Sequence, residues 1–286
     1  MAKQSVFFPG SNTCAGFMGF FDDLHSRARR TVILKGGPGV GKSTLMRQAG
    51  AIYEKKGMDV QYFRCSGDPD FLDAVLVPAA DFLILDDTAP HIVDPRLPGA
   101  RDGILNLGVC LNEAQPAGQA AELASVSRSI AGCYARATRY LRAAAEVRSD
   151  AAAALDEALS RKGRRSLEEE LQLPDGSEGE EHHLYVQAIT WKGVVQETDS
   201  LFCGAAVCID APWGFDVHAL LMPLWDAARR SRLRHLICHD PLDASCVAHI
   251  AVGGTVFSSA VWPEARVLTP PAGPERAGPG IPASGV

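Results

Sequence analysis

The sequence predicts an α/β protein: a P-loop NTPase-type parallel sheet that is duplicated, with a degenerate second copy and an α-helical hairpin inserted between the copies. Three observations predict this fold: a glycine-rich loop between an apolar run and a helical pattern, a later apolar run that ends in two acids, and a last third that aligns with the first. The predicted parts are residues 1–110 for the first domain, 111–175 for the helical insertion, 182–268 for the degenerate domain and 269–286 for a disordered tail rich in Pro, Gly and Ala.

The composition limits the class of protein. A chain of 286 residues can hold one large or two small domains, and its net charge of −6 gives no strong signal for nucleic-acid binding. No apolar run is long enough to cross a bilayer, and the first residues lack the apolar core of a signal peptide. The eight cysteines contain no C-x-x-C pair, which favours reduced thiols. We therefore expect a cytoplasmic protein without a membrane partner.

The first elements predicted are a short strand and an amphipathic helix. The strand covers residues 6–8, and Asn12 or Thr13 is a candidate cap for the helix that follows. Aromatic and aliphatic residues then recur at i, i+3, i+4 and i+7, namely at Phe17, Phe20, Phe21 and Leu24. This spacing predicts a helix that buries an aromatic stripe.

Residues 36–43 have the spacing Gly-x-x-x-x-Gly-Lys-Ser, which is typical of a loop that surrounds phosphate groups. The β-branched run at residues 31–34 predicts a buried parallel strand before the loop. Apolar residues at one helical face predict a helix after it, ending near Gly57. The alternative is a glycine turn that caps a helix and binds nothing.

The loop suggests a specific chemistry. Its glycines and the helix N-terminus present unpaired N–H groups and a partial positive charge to a polyphosphate. We expect Lys42 to reach the β- and γ-phosphates and Ser43 to place its hydroxyl on Mg²⁺. The predicted nucleotide-binding residues are Gly36, Gly37, Pro38, Gly39, Val40, Gly41, Lys42, Ser43 and Thr44.

A second strand is predicted at residues 59–65, and the loop 66–70 lies beyond its carboxyl end. Ligands of open α/β sheets bind at such ends. Asp68 is therefore a candidate for the γ-phosphate or second-substrate side. The alternative is that Asp68 or Asp70 caps a helix that contains residues 71–75.

The apolar run at residues 82–85 is followed by Asp86 and Asp87. An acid at a strand end after a phosphate loop holds Mg²⁺, usually through a water. We assign Asp86 to the metal together with Ser43, and Lys42, Asp86 and Asp87 to catalysis. Asp87 could orient or deprotonate an attacking water, or it could be a turn residue or helix cap.

A proline-marked loop follows these acids and would lie over the nucleotide. His91 and Asp94 in this loop are candidates for sensing the γ-phosphate or a substrate, although a lone loop histidine is more often structural. Residues 97–106 are predicted to be irregular.

The middle of the chain has the pattern of a long helix. Apolar and small residues alternate in steps of three and four without a proline, at Leu123, Val126, Ile130, Cys133, Ala137, Tyr140, Ala144, Val147 and Ala151. This heptad seam predicts one long helix or a helical hairpin with a bend near residues 149–150. Arginines on the other faces are either solvated or include an arginine finger. Residues 166–171 predict a further short helix, and 174–181 an acidic linker.

The last third of the chain repeats the first in its order of elements. Residues 31–45 can be laid over residues 206–220 without a gap, and upstream residues align with a two-residue shift. In this alignment Val217 stands at Lys42, His218 at Ser43 and Asp216 at Gly41, and the position of Asp86 falls near Val261. We expect the second copy to keep the fold and not to hydrolyse a nucleotide.

A zinc site is an alternative use of the histidines and cysteines in this region. His235-x-x-Cys238 and Cys246-x-x-His249 resemble paired zinc ligands. The first pair is predicted to lie on a strand, where positions i and i+3 face opposite sides, and the second pair is predicted to be helical. The spacing therefore argues against a metal site here.

Three strings resemble a bacterial ATPase-like family that carries two tandem P-loop NTPase domains around a helical insertion: residues 8–13, 34–45 and 88–91, which read FPGSNT, LKGGPGVGKSTL and TAPH. The resemblance covers most of residues 5–260. It implies ATP and Mg²⁺ at the first site and supplies no substrate. The family has two intact loops and a glycine where Asp87 stands, so this chain departs from it at both points.

These features predict an ATP-binding protein that hydrolyses ATP with Mg²⁺ at its N-terminal site, the C-terminal copy being an inactive pseudo-domain. One alternative is a small-molecule kinase in which Asp68, His91 and Asp94 face the acceptor. Another is a non-hydrolysing module whose ATP-set conformation is read by a protein partner of the helical insertion. No GTP-specifying Asn/Thr-Lys-x-Asp motif is present, which favours ATP.

Overall fold

The computed structural model describes residues 2–111, 118–158, 176, 179–202 and 204–259. In these residues the chain is a mixed α/β protein whose two larger sheets contain parallel strands. The helices are α1 (Phe21–Ser26), α2 (Lys42–Lys55), α3 (Ala120–Ala158) and α4 (Val217–Arg230). Within the same ranges, no helix combines the length and the apolar character that crossing a membrane requires.

The strands of the first half are β1 (Gln4–Phe7), β2 (Gly10–Thr13), β3 (Gly16–Gly19), β4 (Arg30–Lys35), β5 (Val60–Arg64), β6 (Leu72–Val77), β7 (Phe82–Asp86) and β8 (Asp102–Asn106). Strands β2 and β3 form a hairpin, and the others form a sheet in the order β1-β5-β6-β7-β4-β8. Strand β6 is antiparallel to both its neighbours, whereas the remaining pairs are parallel. The start of β6 therefore lies at the same sheet edge as the carboxyl ends of β4, β5 and β7.

The strands of the second half are β9 (Glu181–Leu184), β10 (Gln187–Thr190), β11 (Gly193–Gln196), β12 (Ala205–Ile209), β13 (His235–His239), β14 (Val247–Val252) and β15 (Thr255–Ser259). Strands β10 and β11 form a hairpin, and the others form a sheet in the order β12-β15-β14-β13-β9. Strand β14 is antiparallel to its neighbours and the other pairs are parallel. This is the order and direction of β4-β7-β6-β5-β1.

The cores of the two halves are continuous. On one face of the first sheet, α2 packs Met46 against Leu34, and both side chains are fully buried. The opposite face belongs to a cluster in which Phe7 and Phe63 meet Leu184 of the second half. Burying each such side chain stabilises the fold by about 1.5–3 kcal/mol. The sheets are therefore held together by shared apolar burial.

The polypeptide backbone also joins the halves. Phe8 N donates to Tyr185 O at 2.8 Å, and Tyr185 N donates to Phe8 O at 3.0 Å. These residues directly follow β1 and β9, so equivalent ends of the two sheets pair with each other. Both side chains are completely buried.

The predicted aromatic helix over residues 17–24 is correct only in its second half, because residues 17–19 belong to strand β3 of the hairpin and the short α1 begins at Phe21. The Thr13 hydroxyl accepts from Ala15 N at 3.1 Å and donates to Gly16 O at 2.8 Å. Gly16 has a φ of 104°, which favours glycine. Local turn chemistry therefore prevailed over the helical spacing of the aromatic residues.

Three further predictions of local structure are wrong. Residues 71–75 belong mostly to strand β6 rather than to a helix, and β8 lies within the stretch 97–106 that was predicted to be irregular. The predicted helix around Cys246 and His249 is strand β14. Short apolar runs do not distinguish a buried strand from a buried helix by periodicity, which explains the errors in β6 and β14.

Other predictions are confirmed. The strands expected at residues 31–34, 59–65 and 82–85 are β4, β5 and β7, and α2 ends just before Gly57, whose φ is 79°. The heptad seam lies on α3, which is one continuous helix from Ala120 to Ala158. The second arm of the predicted hairpin, the helix at 166–171, most of the acidic linker and the tail 269–286 fall outside the described residues. The domain boundaries stay predictions.

Candidate functional site

The glycine loop, defined as residues 36–43, connects β4 to α2 through three glycines with positive φ. These angles are 144° at Gly36, 82° at Gly39 and 90° at Gly41, a region that strains any residue with a Cβ. A Cβ on Gly36 would also approach the Val40 side chain to 2.9 Å. The backbone path of the loop therefore requires glycine.

Lys42, the first residue of α2, turns its side chain back into this loop. Its Nζ donates to Gly36 O at 2.6 Å and to Gly37 O at 3.0 Å, and it lies 3.8 Å from Asp86 Oδ1. Only 7% of the residue is exposed. A buried charge needs partners, and here they are two carbonyls and a carboxylate. The ammonium is thus held inside the loop at the α2 N-terminus.

Asp86 comes to this point because β7 pairs with β4 in parallel, with Leu34 opposite Asp86. The Thr88 hydroxyl donates to Asp86 Oδ1 at 2.6 Å. Burial raises the pKa of Asp86 above its ordinary value, although the Thr88 hydrogen bond and the Lys42 charge lower it. Ser43 lies on the same side, where its Oγ accepts from Leu72 N at 3.1 Å at the start of β6.

Asp73, which the sequence patterns did not single out, is brought to the same sheet edge by the antiparallel β6. Ala74 pairs with Leu85, so Asp73 lies beside Asp86 on the neighbouring strand. Asp73 is 4% exposed, and burial raises its pKa to about 7, with the Asp86 charge contributing in the same direction. An acid inside the apolar run 72–77 was the available signal. A helix over this segment would not place the acid at a sheet edge, and a short apolar run does not distinguish a helix from a strand.

Both carboxylate oxygens of Asp87 have partners within the protein. Lys35 of β4 forms an ion pair with Asp87, and Asp87 Oδ1 accepts from Val93 N at 3.0 Å. The carboxylate therefore ties the loop after β7 to the strand before the glycine loop. Its predicted role with an attacking water stays a prediction.

His91 and Asp94 have different environments although they share one loop. The His91 ring stacks on Phe21 at 4.3 Å between centroids, and its Nε2 lies 3.9 Å from Asp73 Oδ1. Burial lowers the pKa of His91 to about 4, which makes the ring neutral at pH 7. Asp94 is exposed. Only His91 is therefore packed against the acids.

Asp68 caps a turn and not the predicted helix. Its Oδ1 accepts from Asp70 N at 3.1 Å, and its backbone carbonyl accepts from Phe71 N at 3.0 Å. The exposed Asp70 receives Lys192 Nζ of the second half at 2.5 Å. The loop after β5 is thus fixed by its own hydrogen bonds and by the β10–β11 hairpin.

The second loop, residues 211–216, precedes α4 as the glycine loop precedes α2. Gly214 keeps a positive φ of 91°, while Asp216 caps α4 by accepting from Ala219 N at 2.9 Å. Val217 occupies the first position of the helix, where α2 has its lysine. His218 Nδ1 accepts from Val247 N at 3.1 Å, at the start of β14, in the way that the serine of the first loop bonds to β6.

Helix α3 covers the second loop. A Cβ on Gly214 would lie 2.8 Å from the Ala151 side chain, and Arg148 Nη1 donates to Asp240 Oδ1 at 2.8 Å. Strand β15 ends at Ser259 as β7 ends at Asp86, so the matching strand end lies at Ser259 and not near Val261 as the alignment predicted. The turn between β14 and β15 is shorter than that between β6 and β7, which shifts the register.

In ranges 2–111, 118–158, 179–202 and 204–259, no group of three or more His, Cys, Asp or Glu side chains is arranged to hold an ion. His249 Nδ1 instead meets Ser258 Oγ at 2.9 Å, and His235 Nε2 meets Glu181 at 2.8 Å. Mg²⁺ is usually held by one or two carboxylates and by substrate phosphates, and the Ser43 and Asp86 oxygens fit that use.

The site thus gathers one ammonium, backbone N–H groups at a helix start and two carboxylates at one sheet edge. Such an arrangement can bind an anion and place a cation beside it. Comparisons of the chain with protein-family models, with curated proteins and with solved structures found no match.

Proposed function

We propose that residues 36–44 bind the triphosphate of ATP and that the chain hydrolyses ATP with Mg²⁺ at this N-terminal site. The observation that carries the proposal is the position of Lys42, whose ammonium lies inside the glycine loop and 3.8 Å from Asp86. Phosphate oxygens would take over the contacts that Lys42 now makes with Gly36 O and Gly37 O. The N-terminus of α2 would add its unpaired N–H groups.

The proposal includes a P-loop NTPase-type fold that is duplicated around a helical insertion. Helices α2 and α4 both have 14 residues. When α4 is laid on α2, β13 coincides with β5 and β14 with β6 without a gap. The two sheets also share strand order and direction. Independent sheets have no reason to agree in both topology and spacing, which supports descent from one repeated unit.

The chemistry proposed for the first site is attack of water on the γ-phosphate. Mg²⁺ bound with the nucleotide would neutralise phosphate charge, with Ser43 and Asp86 as its protein-side oxygens. Lys42 would stabilise the charge that develops on the transferred group. Asp87 would orient the water only after releasing Lys35 or the Val93 N–H. Asp73 is a second carboxylate beside Asp86.

The C-terminal copy is proposed to be an inactive pseudo-domain. Its helix begins with Val217 in place of lysine, and Asp216 would repel phosphate. Helix α3 lies against Gly214, where a nucleotide would approach the loop. The second copy would therefore have a structural role, in which it supplies part of the shared apolar core and packs against α3.

A small-molecule kinase that uses the same site is the second candidate. It is favoured by the loop after β5, which contains Asp68 and leads to Leu72, whose N–H donates to Ser43. Phosphate release that needs no acceptor favours the ATPase, and release that depends on a metabolite favours the kinase. Tight ATP binding with negligible turnover would instead indicate an ATP-switched binding module.

Lys42→Ala tests the assignment. We expect titration calorimetry with Mg·ATP to show an affinity at least about tenfold weaker, equivalent to about 1.4 kcal/mol. Lys56→Ala is the matched control, because this exposed lysine directly follows the same helix. Unchanged ATP affinity in the Lys42 variant would refute the proposal, and equal losses in both variants would show a non-specific charge effect.

A further inference from the structure

An apolar cleft of about 630 Å³ lies between α3, the loop after β5 and the β10–β11 hairpin. Its apolar wall includes Val126, Ile130, Tyr134, Ile189 and Trp191. The volume falls in the range of small-molecule sites, and an apolar lining with few polar groups is typical of them. None of the nucleotide-binding residues assigned above lines this cleft.

The walls of the cleft are fixed to one another before any ligand arrives. Asn12 Nδ2 donates to Ser66 O at 3.3 Å and to Ile189 O at 3.1 Å, so one side chain joins the β5 loop to the hairpin. Gly67 lets α3 come close, since a Cβ there would lie 3.1 Å from the Tyr134 hydroxyl. A preformed site loses less conformational entropy on binding.

The charge of the cleft lining limits the chemistry of its ligand. Of the described residues that line the cleft, none is Asp, Glu, Lys or Arg. The lining therefore suits an uncharged molecule.

We propose that this cleft binds an uncharged, ring-bearing small molecule. Aromatic rings of Tyr134, Tyr140 and Trp191 in the lining offer surfaces for stacking. The heptad seam also continues outside the cleft, for example at Val147, which is 58% exposed. The concave enclosure by three separate elements favours a small molecule over a helical partner, which would follow the whole seam.

The test uses the neutral fluorophore N-phenyl-1-naphthylamine, which has two ring systems and one N–H. We expect saturable fluorescence enhancement with one probe per chain. Val126→Asp places a carboxylate in the cleft and is expected to weaken probe binding at least about tenfold. Val147→Asp is the matched control, because Val126 and Val147 lie on the same helix with exposures of 51% and 58%. Its probe affinity should equal that of the unchanged chain.

Two further variants keep the outcomes distinct. Trp191→Ala removes a wall residue from an exposed hairpin tip and should also weaken probe binding, even if Val126→Asp fails to fold. Lys42→Ala should leave probe binding intact, because the cleft does not depend on the nucleotide site. The proposal is overturned if the unchanged chain shows no saturable binding, or if Val126→Asp and Val147→Asp weaken it equally. The proposal is also overturned if the chain self-associates through this face and the self-associated chain no longer binds the probe.

Discussion

Asp23 links α1 to the first strand of the second half, and its replacement should destabilise the protein in a pH-dependent way. Asp23 Oδ2 accepts from Arg27 Nε and from His183 N, each at 3.0 Å, and Oδ1 lies 3.2 Å from His182 Nδ1. Burial alone would raise the pKa of Asp23, but its bonds with His182 and Arg27 hold it at about 2, against an ordinary value of 3.8.

A folded-state pKa below the unfolded value stabilises the protein above the unfolded pKa, and this stabilisation is lost as pH falls through the folded pKa. The shift at Asp23 corresponds to about 2 kcal/mol at pH 7 and to about half of that at pH 3. Urea unfolding of Asp23→Asn should show a loss of this size at pH 7 that shrinks towards pH 2. Its neighbour Asp22, with a side chain 92% exposed, provides the control Asp22→Asn, which should lose little. Equal losses in the two variants, or a loss at Asp23 that does not change with pH, would refute the reasoning.

Two further predictions concern the two loops. Asp86→Asn should reduce Mg²⁺-dependent phosphate release by about 10²-fold. Asp94→Asn is the control, because Asp94 is exposed, and it should leave phosphate release unchanged. Equal turnover in the unchanged chain and in both variants would contradict the metal assignment. Gly214→Ala should lower the free energy of unfolding by about 1–3 kcal/mol without changing Mg·ATP affinity, because φ is 91° and the new Cβ would press on α3. Gly254→Ala is the control, because Gly254 also has a positive φ but a Cβ there would meet no other atom within 4 Å. If Gly254→Ala lowers the free energy of unfolding as much as Gly214→Ala does, packing against α3 is not the cause.

The parts of the site that could be predicted are those written in contiguous residues. The glycine spacing at 36–41, the lysine that follows it and the apolar run ending in Asp86 each lie in one short segment, and each forms the expected element. Asp73 could not be found in this way. It reaches the site only because β6 runs against its neighbours, and a run of six buried residues is equally compatible with a helix.

The amino-acid sequence by itself determined the elements that depend on local chemistry: the glycine turn, the start of α2 at Lys42 and the long uninterrupted α3. Tertiary structure alone decided which of these elements meet. It placed Asp73 beside Asp86, paired Phe8 with Tyr185 and laid α3 over Gly214. The physical reason is that strand direction and helix docking are set by burial of apolar surface from distant segments, which no local pattern contains.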